Sequence, residues 1–127
     1  MEPKRKNNQK IETGKWGEGI ALKFLLGKGY QLVERNFRSP DGEIDLIVMK
    51  GSDLVFVEVK TRRTRDFGSP EEAVDDEKLE HLEGAAGWYL QQHPEFEDNW
   101  HLDVISVIGA PGSTTPEIEW FENVIAT

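Results

Sequence analysis

Residues Gly42 to Arg65 read GEIDLIVMKGSDLVFVEVKTRRTR, two apolar-rich runs on either side of the polar loop Lys50-Gly51-Ser52-Asp53. Alternation interrupted by a glycine-containing loop is the pattern of a β-hairpin. A period of two puts Ile44, Leu46 and Val48 on one face of the first strand. Glu43, Asp45, Ile47 and Met49 take the other. On the second strand Val55, Val57 and Val59 oppose Leu54, Phe56, Glu58 and Lys60. A symmetric loop sets Asp45 opposite Glu58, with Lys60 just beyond, so both strands carry their charge at the end away from the loop.

Carboxylates and an amine among valines must be paired, bound to a cation or held at a rim. Two carboxylates brought close repel each other, and one takes up a proton unless a cation lies between them. A hard divalent ion such as magnesium suits oxygen ligands from one or two carboxylates, completed by water and phosphate. Lys60 shares a face with Glu58 and is placed to hold an attacking water. The plain alternative is a cross-strand ion pair on a solvated face.

The ordered set Glu18 … Asp45 … Glu58-Val59-Lys60 resembles the PD-(D/E)XK nucleases, the restriction-endonuclease-like fold, and in particular their Holliday-junction-resolvase branch. More closely, Gly14 to about Ile108, about three quarters of the chain, resembles the bacterial YraN-like family. The matching pieces are Gly14-Lys15-Trp16-Gly17-Glu18, Gly42-Glu43-Ile44-Asp45-Leu46-Ile47 and Phe56-Val57-Glu58-Val59-Lys60-Thr61-Arg62. Phe67 to Val74, Lys78 and Asp103-Val104 complete them. The resemblance implies an α/β fold, a mixed β-sheet flanked by helices with an αβββαβ core. It also implies a site in which Asp45, Glu58 and the Val59 carbonyl hold Mg²⁺ or Mn²⁺, Lys60 orients water, and Glu18 adds a further acid. Without the resemblance, Glu18 is a first-turn charge favoured by the helix dipole.

At 127 residues the chain suits one domain. The expected division is a flexible basic tail over 1–12 and a single nuclease-like domain over 13–127. No apolar run reaches membrane-spanning length, and the basic N-terminus lacks the apolar region of a secretory signal. Cysteine is absent, which removes disulfides, thiolate metal sites and cysteine nucleophiles. A cytoplasmic protein without a membrane partner is the expectation. The net charge of −9 is unevenly spread: residues 1–65 hold 14 Lys and Arg against 9 Asp and Glu, and residues 66–127 hold 1 against 15. A basic half that carries the candidate site is compatible with a phosphate-facing surface. An ordinary solvated acidic helix face accounts for the other half equally well.

Thr13 is a candidate N-cap for a helix over about Gly14 to Leu26, with Trp16, Ile20 and Phe24 as its core stripe. Tyr30 to Phe37 reads as the first strand, and Ser39-Pro40-Asp41-Gly42 as a turn. Arg62, Arg63 and Arg65 leave the hairpin as a basic run suited to phosphate contacts, to which Lys15 is added; a solvated charge run is the rival reading. Ser69-Pro70-Glu71-Glu72 reads as a capping box for a helix that ends near Gln92. Leu79, Leu82, Ala86 and Tyr89 form its buried stripe, and Gly84 and Gly87 weaken its interior. Lys78 is read as an intrahelical partner of Asp75. Trp100 to Ile108 reads as a strand; Asp103 is assigned a structural role, with a cation at the sheet edge as its candidate partner. Glu117 to Ile125 reads as a last, edge strand. His81, His93 and His101 show no metal-ligand spacing.

The expected function is hydrolysis of phosphodiester bonds in nucleic acid, DNA first, by a metal-dependent and structure-selective endonuclease. No base-reading element is visible. The alternative is a catalytically inactive nucleic-acid-binding or scaffold protein on the same fold, which the acidic helix favours; a protein-interaction module is a third option. A homodimer is carried as an open option.

Overall fold

The structure, a computed structural model, describes residues 2–64 and 75–125, with side chains from residue 9 onward. Helix α1 (Glu2–Gly27) leads into strands β1 (Gln31–Ser39), β2 (Gly42–Lys50) and β3 (Asp53–Arg62). Helix α2 (Asp76–Gln92) and a 3₁₀ turn (Pro94–Phe96) follow, then β4 (Trp100–Ile108) and β5 (Glu117–Phe121). The five strands lie in chain order in one mixed sheet. β3 and β4 run parallel, while the other neighbours run antiparallel. A parallel step needs a long crossover, and α2 supplies it. This is the α/β architecture expected of a restriction-endonuclease-like fold.

The helices take opposite faces of the sheet. On the α1 side Ala21 and Leu25 pack on Leu46, Val48, Val55, Val57, Ile105 and Val107. On the α2 side Leu82, Ala85, Ala86 and Tyr89 pack on Ile44, Ile47, Leu54, Phe56, Leu102 and Val104. Phe56 is fully buried between the rings of Tyr89 and Trp100, with centroids at 5.8 and 5.7 Å. Burial of this kind contributes about 2 to 3 kcal/mol per large side chain.

Several sequence expectations shift. Residues 2–12, expected as a flexible tail, continue α1 as helix. Lys, Arg, Gln and Glu are good helix formers, and Pro3 falls in the first turn, where its missing N–H costs nothing. The buried row of α1 centres on Ala21 and Leu25 rather than on Trp16, Ile20 and Phe24, which are partly buried beside it. Small residues at Gly17 and Ala21 let the helix axis approach the sheet. A methyl at Gly17 would overlap Thr61 Oγ1.

Ile44 departs from the expected alternation: it joins Ile47 on the α2 side, not Leu46 and Val48. The strand twists out of phase at Asp45, where β2 stops pairing with β3. Across β1 the ladder skips Asn36, whose φ of 52° breaks the extended run.

Helix α2 runs unbroken through both glycines. Gly84 is there for space, because a Cβ would lie 2.8 Å from that of Asp41. Asp41 accepts a 2.9 Å hydrogen bond from Trp88 Nε1, which ties the β1–β2 turn to the helix. The capping box at Ser69–Glu72 and the proposed phosphate contact Arg65 lie outside the described residues. β5 ends at Phe121, four residues sooner than expected. Asn123 turns the chain at φ 50°, and its N–H and that of Val124 donate to Asp103 and to the Leu102 carbonyl. No helix among the described residues is long and apolar enough to cross a membrane.

Candidate functional site

The β2–β3 ladder runs from Lys50↔Asp53 to Leu46↔Val57. One more step of the same register brings Asp45 to Glu58, as the symmetric loop predicts. The backbones have parted there, and the Asp45 carboxylate fills the gap. Its Oδ2 accepts a 2.8 Å hydrogen bond from the Val59 N–H. In an antiparallel ladder the N–H and C=O of one residue face the same neighbour, so the Val59 carbonyl is also directed at this gap.

Glu58 is 4 % exposed and stands between two ammonium groups. Lys60 Nζ is 3.6 Å from its Oε2, and Lys78 Nζ, from the first turn of α2, is 3.0 Å away. Asp45 and Glu58 also share a hydrogen bond. Burial pushes the Asp45 carboxyl up, and the hydrogen bond and negative charge of Glu58 push it further, to about 9, against the opposing Val59 N–H. Burial pushes Glu58 up too. The hydrogen bond from Asp45 and the charges of Lys60 and Lys78 outweigh it and hold Glu58 below the usual carboxylate range. The two shifts run in opposite directions, Asp45 up and Glu58 down, as expected of crowded carboxylates that hold a proton between them.

Glu18 reaches the same region from α1. Burial raises its carboxyl, Arg35 opposes this, and the charges of Glu43 and Glu58 add to the rise. Its Oε1 is buried without a hydrogen-bond partner, whereas the buried Glu58 Oε2 is met by the Lys78 ammonium. The unmatched Glu18 oxygen marks a place where positive charge is wanted.

Glu18, Asp45, Val59, Lys60 and Arg63 line one cleft of about 790 Å³ between α1 and the end of β3. Glu58 is not among its lining residues. The other expected phosphate contacts fare differently. Arg62 pairs with Ile108 on β4, and its carbonyl accepts from the Gly109 N–H. Lys15 is exposed on α1 and does not line the cleft, while Lys10, one helical turn before Gly14, does.

Two readings are corrected. Lys78 does not pair with the Asp75 side chain: Asp75 Oδ1 caps the helix by accepting from the Lys78 backbone N–H at 2.9 Å, and the ammonium goes to Glu58. Spacing within the helix could not reveal this, since Glu58 lies on another element. Asp103 is not at a sheet edge either, since β4 lies between β3 and β5. It is fully buried and contacts His101 Nδ1 at 2.7 Å, Trp120 Nε1 at 2.8 Å and the Asn123 N–H at 2.8 Å.

Among the described residues no three His, Cys, Asp or Glu side chains gather closely enough to hold a metal by themselves. The available donors are two carboxylates and a backbone carbonyl, with Glu18 behind them. An all-oxygen, partly protein-derived set of this kind fits Mg²⁺ or Mn²⁺, which keep water or phosphate in their remaining positions.

Residues 17–107 match the uncharacterised protein family UPF0102. A UPF0102 protein of Syntrophomonas wolfei subsp. wolfei is 47% identical over 103 residues, covering 81% of this chain and 90% of its own. One of Paenarthrobacter aurescens is 41% identical over 111 residues, covering 87% and 91%. Among solved structures, Pyrococcus furiosus SfsA in complex with Ca²⁺ is similar at a TM-score of 0.35 and 16% identity, over 90% of this chain and 64% of that one. A likeness of that size carries no argument about function. The matched span and the identity of the relatives are enough to state that this chain belongs to the UPF0102 family.

Proposed function

We propose that the protein is a metal-dependent endonuclease of the PD-(D/E)XK kind, acting on phosphodiester bonds in DNA. The observation that carries the reading is the Asp45–Glu58–Val59 junction. The half-buried Asp45 carboxylate, held by the Val59 N–H at 2.8 Å, and the buried Glu58 carboxylate crowd together there, beside a cleft that Lys10, Lys60 and Arg63 line. Asp45, Glu58 and the Val59 carbonyl would hold Mg²⁺ or Mn²⁺. When bound, the ion supplies Lewis acidity toward the phosphodiester and toward water.

The chain's own residues supply the rest. Asp45 gives up its proton to become a ligand. Lys60, on β3 beyond Glu58, orients water and offsets negative charge that develops on the phosphoryl oxygens. Glu18 adds a carboxylate from the α1 wall. Lys10 and Arg63 contact the backbone of the strand in the cleft, without reading bases.

A scaffold or binding protein without cleavage is the second reading. The ion pair of Glu58 with Lys78 favours it, since that pair compensates the carboxylate without a metal. Incubation of the protein and its Glu58→Ala variant with branched, single-stranded and duplex DNA, with and without Mn²⁺, separates the two. Cleavage that needs both Mn²⁺ and Glu58 supports the enzyme. Cleavage that survives in the variant, or salt-sensitive binding without any cleavage, ends that reading.

A further inference from the structure

Lys78 sits badly by the rules of its own helix. Asp75 is the N-cap, so Lys78 occupies the third helical position, where a capping box places Glu or Gln. A cation in the first turn also meets the positive end of the helix dipole. Asp76 and Glu77 beside it obey that preference, and Lys78 does not. What it gains lies on another element: its ammonium stands 3.0 Å from Glu58 Oε2, closer than the 3.6 Å of Lys60.

We propose that Lys78 is a resident stand-in for the divalent cation, its ammonium holding the oxygen of Glu58 that the cation takes, so that cation binding requires Lys78 to withdraw. The proposal rests on the metal-centre reading above. Three features make the exchange workable. The Lys78 backbone is fixed by Asp75, so only the flexible stem has to move. The side chain is 39 % exposed and can swing into solvent at little cost. A second anionic berth is adjacent, a cavity of about 320 Å³ lined by Asp75, Glu77, Lys78 and His81. Lys60 has none of this freedom to the same degree, being 29 % exposed on a central strand. Two cations cannot share one carboxylate oxygen at close range without strong repulsion, so occupancy by one lowers the affinity for the other. Lys78 thereby keeps the buried Glu58 carboxylate compensated in the resting protein and sets the cation concentration at which the site loads.

Titration of Mn²⁺ into the protein without nucleic acid, read by calorimetry, tests this. Lys78→Met and Lys78→Gln are expected to bind Mn²⁺ about tenfold more tightly than the native chain, a figure reduced for the partial exposure of the ammonium. Lys78→Arg, which keeps the charge, stays within about twofold of native. Equal or weaker binding by the neutral variants overturns the inference and leaves the metal centre standing, as does Lys78→Arg binding as tightly as Lys78→Met. Absence of binding in every protein overturns the metal centre and the inference with it. In the native chain, the Lys78 Cε resonance moves to a solvent-like position when Mg²⁺ is added; a resonance that does not move while Mg²⁺ binds overturns the inference without any variant.

Discussion

Asp45 and Val59 are fourteen residues apart in sequence and joined at 2.8 Å, carboxylate to backbone N–H, at the point where their strands stop pairing. That bond holds an acid in the mouth of the sheet in place of a ladder hydrogen bond. It also presses Asp45 against Glu58, and the result is a carboxyl that ionises near pH 9.

The pressure has a stability consequence. A group whose pKa is raised in the folded state binds its proton more tightly there than in the unfolded chain. Its contribution is full below about pH 4 and is lost as pH rises toward 9. Glu58, held low, contributes in the opposite sense: its share is present above its unfolded value and lost as pH falls. Asn at position 45 mimics the protonated acid, accepting from Val59 and donating to Glu58. In chelator, Asp45→Asn is expected to be more stable than the native chain, with the gap widening by about 1 to 3 kcal/mol between pH 5 and pH 8. Urea unfolding at the two pH values measures it. A gap that is constant with pH contradicts the shared proton.

Gly17 and Gly14 lie one turn apart on α1 and face different surroundings. A Cβ at Gly17 would run into Thr61 of β3, whereas one at Gly14 meets nothing within 4 Å. Gly17→Ala is expected to cost about 1 to 3 kcal/mol, by pushing α1 from the sheet. Gly14→Ala should gain up to about 1 kcal/mol from helix propensity. Thermal or urea denaturation distinguishes them. Equal effects would mean that α1 does not sit as closely on β3 as the structure has it.

The hairpin register is legible because a short loop between two apolar-rich runs leaves few choices, and continuing that register brings Asp45 to Glu58. The face of Ile44 is not, because it depends on a twist at Asp45 that has no local signal apart from the charge itself. The core row of α1 lies one residue beyond the row its large side chains suggest, for a related reason. Trp16, Ile20 and Phe24 look like a stripe, but the sheet prefers the small side of the helix, where Gly17 and Ala21 allow close approach. Lys78 illustrates the general limit. Its helical neighbours suggested Asp75, while its true partner comes from β3, and only the crossover that stacks α2 on the sheet brings them together. Glu18 was reachable only through resemblance, since its own turn explains a glutamate just as well.

Asp103 gathers three donors with one buried carboxylate and fastens the C-terminal segment over β4. Asp103→Ala would leave the Trp120 indole N–H and the Asn123 N–H, both part-buried, without this acceptor. The expected loss is about 2 to 4 kcal/mol, since stranded buried donors cost more than the bonds themselves contribute. Trp120 packs edge-on against Phe24 and Tyr30, so its fluorescence should report release of β5 along with the change in urea midpoint. An unchanged midpoint would show that β5 is held by its ladder alone.

Lys10 and Arg63 both line the cleft, one from α1 and one from the chain leaving β3. If a nucleic-acid strand lies between them, each neutralises about one phosphate and releases its counterion. Alanine at either position is expected to reduce the slope of log affinity against log salt by roughly 0.7 to 0.9, and the double variant by about twice that. Lys15→Ala, on a side chain outside the cleft, serves as the control and should leave the slope unchanged. Binding of a labelled single strand in chelator, over a salt series, reads all four proteins without relying on cleavage. A slope that responds to Lys15 and not to Arg63 would move the strand out of the cleft and onto the exposed face of α1, away from Asp45 and Glu58.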